Sequence, residues 1–228
     1  MQPYFFPYIG YFQLINAVDE FIIYDKIEFT KKGWINRNRI LVNGKDEYIT
    51  LPLKKASDFL FVNDRYLADS WETEKNKLIN KIKESYRKAS YFKDVFPLIE
   101  NCLHFKNKNL FDFILNTIKS INNYLEIKTP IIKVSDLPIN KDLKAEKKVI
   151  EICKNRNATE YINPIGGVNI YNKETFFQNG IKLHFLKSNN INYSQLQNEF
   201  APWLSIIDVM MFNSKKEIKE MLNQYDLI

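Results

Sequence analysis

The residues Asn43-Gly44 stand between two β-rich runs, Arg39-Ile40-Leu41-Val42 and Tyr48-Ile49-Thr50-Leu51. Both turn residues accept positive φ at little cost, so the pair predicts a tight antiparallel hairpin. Around it, short β-prone runs alternate with segments of helical period. Phe21-Ile22-Ile23-Tyr24 follows a helix-like stretch over Tyr11 to Val18. Pro130 to Val134 reads as a strand ended by Ser135-Asp136, and a helix over Leu143 to Lys154 leads to the strand-like Glu160-Tyr161-Ile162. Gly166-Gly167 makes a turn into a short helix near Thr175 to Gln178, which Gly180 closes as a C-cap. Ile181 to Leu186 is a further strand. A helical stretch near Leu204 to Phe212 and a polar amphipathic one from Lys215 to Tyr225 end the chain. The alternation predicts an α/β fold: a layered sheet with parallel and hairpin strands, flanked by helices.

The middle of the chain, about 68–126, is helical and reads as an insertion in a single domain spanning 1–228. Asp69-Ser70 caps a helix to about Tyr86, with Trp71, Leu78 and Ile82 on one side. A second helix covers Tyr91 to Phe105. A third covers Leu110 to Leu125, with Phe111, Ile114, Leu115, Ile118 and Ile121 at helical spacing. These stripes are core-packing faces.

With 45% hydrophobic and 14% aromatic residues among 228, the chain has the material for a substantial core. Its two cysteines, Cys102 and Cys153, lie in amphipathic helical segments without CxxC spacing, which reads as buried thiols in a reducing compartment. Only His104 and His184 are present, so a zinc site or a histidine triad lacks raw material. The apolar opening has two prolines and a glycine, no basic flank and too few residues to cross a bilayer. No membrane span is expected, and the expected address is the cytoplasm. The net charge of +6 is spread along the chain in short clusters such as Lys31-Lys32 and Lys54-Lys55. That spread argues against a dedicated nucleic-acid face and suits a phosphate-bearing small substrate. No motif names a cofactor, and nothing specifies an oligomer.

Four blocks hold candidate site residues. In the first, the prolines of Gln2-Pro3-Tyr4-Phe5-Phe6-Pro7 fix a turn before a helix starting near Gly10 or Tyr11. Its N–H groups, with the Gln2 amide beside them, suit an anion; alternatively the aromatics wedge this helix against the sheet. In the second, Asp25 ends a strand, where α/β folds present functional side chains. Lys32, Trp34, Asn36, Arg37, Asn38 and Arg39 follow, a loop fitted to phosphate, sugar hydroxyls and ring faces. The third, Tyr161 to Tyr171, carries Gly166-Gly167 with Asn163 and Asn169, which either bind substrate or cap turns. The fourth runs from Tyr193-Ser194-Gln195 to Asp208, set among Ile206, Ile207, Val209 and Met210. A carboxylate there needs a partner: either an ion pair with Arg37 or Arg39, or a general base with a raised pKa.

The segments QPYFFPYIGYFQLI, YDKIEFTKKGWINRNRI, Tyr161 to Tyr171 and Tyr193-Ser194-Gln195 with LSIIDVMMFN resemble the WbqC-like family, in the expected order. Positions matching its pattern include Gln2, Pro3, Pro7, Gly10, Tyr11, Asp25, Trp34, Asn36, Arg37 and Asn38. Tyr161, Gly166, Tyr171, Gln195, Ser205, Asp208 and Asn213 match as well. The family pattern starts with a few β-forming residues before Gln-Pro, and this chain begins at Met1-Gln2, so that strand is expected to be missing or shortened. The resemblance implies a role in O-antigen-type surface-polysaccharide biosynthesis and supplies no established reaction.

From it comes the leading expectation, a transferase forming an amide on the amino group of a nucleotide-linked amino sugar. Asp25 or Asp208 would take the proton, and Gln2, Tyr11, Lys32, Trp34, Asn36, Arg37, Asn38, Tyr161, Gly166 and Gln195 would bind substrate. Nucleotidyl transfer is a lesser analogy, because Tyr8, Ile9, Gly10 and Tyr11 stand where such enzymes carry His-x-Gly-His. The alternative from another class is a non-catalytic protein that binds a nucleotide sugar or glycan.

Overall fold

The computed structural model of the chain describes residues 1–57, 59–140, 142–196 and 199–228. The Asn-Gly turn forms as its chemistry demands, with Asn43 at φ 50° and Gly44 at φ 78°. β2 (Arg37–Val42) and β3 (Lys45–Thr50) pair antiparallel across it, from Arg37↔Thr50 to Val42↔Lys45.

Before the hairpin come α1 (Ile9–Asn16) and β1 (Phe21–Ile23). β1 pairs in parallel with β4 (Ile131–Lys133). Met1 lies along β1, its amino group donating to the Ile22 carbonyl and its own carbonyl accepting from the Tyr24 N–H. β5 (Glu160–Pro164) and β6 (Lys182–Ser188) form a second parallel pair. The β layer is therefore assembled from separate hydrogen-bonded pieces within an α/β fold.

Between them stand α2 (Trp71–Tyr86), α3 (Phe92–Leu103) and α4 (Leu110–Leu125), close to the bounds their apolar periods predict. Asn109 caps α4 by accepting from the Asp112 N–H, and the chain leaves the helix through Glu126 at φ 62°. Trp71 on α2 meets Phe113 on α4 edge-on, 5.4 Å between centroids. These helices share one hydrophobic cluster with Phe5, Phe6, Phe12, the hairpin residues Ile40 and Ile49, and Ile206 to Met211. Each fully buried aliphatic or aromatic chain there contributes about 1.5–3 kcal/mol of transfer free energy. The helical middle thus closes the core on which both chain ends pack.

α5 (Ala145–Asn155) and α6 (Lys173–Gln178) pack on the second parallel pair through Val149, Ile150, Cys153, Phe176, Leu183 and Phe185. Both cysteines are buried and free, and burial pushes each thiol up to about 11.

The end of the chain departs from expectation. α7 (Ile206–Phe212) and α8 (Lys215–Met221) form, the latter with a Ser214/Glu217 capping box. The predicted helix to Tyr225 stops at Met221, and β7 (Tyr225–Leu227) instead pairs antiparallel with β6. Tyr-Asp-Leu has little intrinsic preference here, so the edge of β6, far away in sequence, decides. Among the described residues no helix is long and apolar enough to cross a membrane.

Candidate functional site

The site is built around a strained turn. Pro7 disfavours helical geometry for the residue before it, and Phe6 sits in the left-handed region at φ 42°. For a bulky residue this costs on the order of 1–3 kcal/mol. Two segments remote in sequence hold it there. The Asn38 Nδ2 donates to the carbonyls of Phe6 (2.9 Å) and Phe5 (3.2 Å), and the Ser205 Oγ donates to the Phe6 carbonyl as well (2.7 Å). The Ile206 N–H donates to the Pro7 carbonyl, and the Ser205 N–H to the Arg39 carbonyl. The Asn38 Oδ1 accepts from the Arg39 N–H, so both ends of this buried amide are engaged.

The turn delivers Tyr8 to the start of α1. Its ring lies over Gly10, where a Cβ would fall 2.4 Å from it. Only glycine admits that approach. Tyr8 in turn meets Trp203 edge-on, 6.0 Å between centroids at 68°. Trp203 is 51% exposed and also has a left-handed backbone, φ 59°.

Tyr8 and Trp203 together divide two clefts. The first, about 210 Å³, is walled by Tyr4, Pro7, Trp34 and this pair, with Asn38 and Arg39 at its base. The second, about 290 Å³, lies between the same pair and the loop after β6. Asn189, Asn190 and Asn192 line it together with Tyr193, Phe200 and Val209. Trp203 borders both clefts and Phe6 lies one residue before Pro7 of the first, and strained backbone of this kind is an outlier that marks functional positions.

Arg39 is the cation of the first cleft. Its Nη1 pairs with Asp46 at 2.7 Å and its guanidinium lies 5.7 Å from the Trp34 ring centre. Its buried Nε has no hydrogen-bond partner among the described residues. A buried donor left unmatched costs about 1–3 kcal/mol, which an acceptor on a ligand would recover.

Other residues of that loop are committed to the loop itself. The Arg37 Nε donates to the Gly33 carbonyl (3.0 Å) and its Nη2 to the Lys32 carbonyl, and its guanidinium stacks over Tyr48. Lys32 is exposed at φ 61° and lines neither cleft. The Asn36 Nδ2 donates to the Leu51 carbonyl (2.8 Å) and so braces the hairpin. Of the residues expected to bind substrate there, Trp34 and Asn38 reach a cleft.

Asp208 is fully buried, and its partners differ from the arginines expected for it. Its Oδ1 accepts from the Tyr86 hydroxyl, and its Oδ2 from the Tyr193 hydroxyl and the Gln195 Nε2, each at 2.7 Å. The Tyr86 hydroxyl also accepts the Leu41 N–H at 3.0 Å. The Gln195 amide further clamps Ala201 through both its donor and its acceptor. Arg39 is taken by Asp46 and Arg37 by local carbonyls, so the ion pair does not form. Burial pushes the Asp208 carboxyl above its ordinary value of 3.8, opposed by its three hydrogen bonds.

This sets a pH dependence. A carboxyl whose folded pKa is raised contributes stability that is complete below the unfolded value and lost as pH rises through the folded one. The stability margin of the wild type over Asp208→Asn should therefore be largest below about pH 3.8 and narrow as pH rises. Urea midpoints of the two proteins across the acid range test this, and a margin that widens with pH would contradict it.

Asp25 ends β1 as expected, but it is buried and its Oδ1 accepts from the Ser135 N–H at 3.1 Å, tying β1 to the end of β4. Gln2 is half-buried, with its Oε1 accepting from the Tyr4 hydroxyl and its carbonyl from that of Tyr11. Tyr11 is core, packed edge-on against Phe12 and Phe21. This is the wedging role for the N-terminal aromatics. Tyr161 stacks on Phe176 at 8° and meets Tyr171 edge-on, with its hydroxyl bonded to Asn163. Gly166 has open space around it, whereas at Gly167 a Cβ would lie 2.1 Å from the Asn163 Oδ1. Gly167 thus leaves room for the Asn163 side chain to pack against it.

Tyr8, Trp203 and the Asn190/Asn192 loop were not singled out from sequence. The available signal was Pro202-Trp203, a large aromatic beside a helix-breaking proline. Among the described residues no group of three or more His, Cys, Asp or Glu gathers as a metal site.

The family model for WbqC-like proteins matches residues 2–220. An uncharacterized protein of Mycobacterium tuberculosis is 29% identical over 224 residues, covering 97% of this chain and 95% of its own length. No solved structure matches.

Proposed function

The chain belongs to the WbqC-like protein family, and on that premise we propose that it binds a nucleotide-linked sugar in bacterial surface-polysaccharide assembly. The observation that carries this reading is the first cleft: aromatic walls from Tyr4, Tyr8, Trp34 and Trp203 around a guanidinium with an unmatched buried Nε. Aromatic faces suit a nucleobase, and a guanidinium suits a diphosphate. Such a substrate pool supports a cytoplasmic reading.

Binding is favoured over amide or acyl transfer as the primary activity. A general base must lie within hydrogen-bond reach of the ammonium it deprotonates. Asp25 and Asp208 line neither cleft, and each already accepts hydrogen bonds from buried protein groups.

Trp34 and Trp203 border the first cleft while Trp71 is buried in the core, so intrinsic fluorescence reports on the cleft. Titration with UDP- and dTDP-linked amino sugars is expected to quench it. At about 100 times the dissociation constant, the ligand should stabilise the fold by roughly 2.7 kcal/mol. Arg39→Gln should weaken binding about 10- to 100-fold, the worth of a charge-assisted hydrogen bond. Absence of both quenching and thermal stabilisation with every nucleotide sugar tried would defeat the proposal.

A further inference from the structure

We infer that the second cleft is the saccharide subsite for that same ligand, so that the molecule is read in two halves on either side of the Tyr8–Trp203 pair. This rests on the nucleotide-sugar reading and adds to it which half goes where.

The two lobes differ in chemistry. The first holds a cation and aromatic faces, and the amide that lines it, Asn38, is wholly engaged within the protein. Among the described residues no charged one lines the second, which disfavours a phosphate there. It presents the side chains of Asn190 and Asn192, exposed and without a hydrogen bond among the described residues. A carboxamide offers both donor and acceptor, the pairing that adjacent hydroxyls or an N-acyl group require. In the same cleft Tyr193 and Phe200 meet edge-on at 5.2 Å, giving an apolar surface for the C–H face of a pyranose.

Size points the same way. Small-molecule sites generally occupy about 300–1,000 Å³. The first lobe alone falls short of that range, the second sits at its lower edge, and the pair lies within it. Tyr8 and Trp203 belong to both, so a ligand filling both must pass along this pair.

The test compares UDP with UDP-linked hexosamines by isothermal titration, on wild type and on the double variant Asn190→Ala/Asn192→Ala. Both positions are exposed, so an unchanged melting temperature is expected and confirms the variant's fold. On wild type the sugar should tighten binding about tenfold over UDP. In the double variant that gain should vanish while UDP affinity stays the same. UDP binding with no gain from the sugar, or a gain that survives the double variant, would overturn the saccharide subsite and leave nucleotide binding standing. Failure of both ligands to bind would remove the subsite together with the function it rests on.

Discussion

Asp208→Ala is expected to lower the unfolding free energy by about 3–5 kcal/mol. The substitution leaves the Tyr86 hydroxyl, the Tyr193 hydroxyl and the Gln195 Nε2 without their common acceptor. Tyr86 is wholly buried, so water does not replace the lost oxygen there. At roughly 2–4 °C per kcal/mol for a chain of this size, the melting temperature should fall by about 10 °C. Asp208→Asn keeps the shape and one oxygen, and should cost only about 1–2 kcal/mol. A carboxylate kept purely as a catalytic base would show the reverse, little change in stability and loss of turnover. Urea denaturation followed by circular dichroism separates the two. A loss within about 1 kcal/mol for the alanine variant would contradict the hub role, since surface substitutions already span roughly half that.

What could be read from the sequence is what depends on near neighbours. The 43–44 turn requires only that two adjacent residues tolerate positive φ, and the dipeptide declares it. α2, α3 and α4 carry their own apolar stripes, so their existence and bounds were legible. β7 was not, because Tyr225 to Leu227 become a strand only by pairing with β6. The need of Asp208 for partners was legible from its apolar surroundings, while their identity was not. Tyr86 lies 122 residues away, and no local pattern connects the two. The arginines were the obvious candidates by charge, yet carbonyls only four and five residues off had already taken Arg37. The clefts follow the same rule. Their aromatic walls come from the two ends of the chain and the loop before β2, and only the folded turn at Phe6 brings those segments together.

Asn38→Ala should therefore affect stability and binding at once. It removes both donations to the Phe5 and Phe6 carbonyls and the acceptor for the Arg39 N–H, all buried or nearly so. A loss of about 2–4 kcal/mol is expected from these unmatched groups. With one of its two clamps gone, Phe6 is free to leave its left-handed conformation. Tyr8, two residues on, then loses its fixed approach to Gly10 and Trp203, and nucleotide-sugar affinity should fall at least tenfold. Asn38→Asp provides the sharper test. It is nearly isosteric and retains the acceptor, but sets a carboxylate oxygen against two carbonyl oxygens in a buried site, so it should be at least as damaging. Ser205→Ala removes the other clamp on the Phe6 carbonyl and should cost about 1–2 kcal/mol alone. Because both residues hold one oxygen, the double variant should depart from additivity by roughly 0.5 kcal/mol or more. Additive losses would mean that the two clamps act on separate parts of the turn. If stability fell with affinity intact, the turn would be a piece of the core alone, and the ligand would have to sit elsewhere than between Tyr8, Trp34 and Trp203.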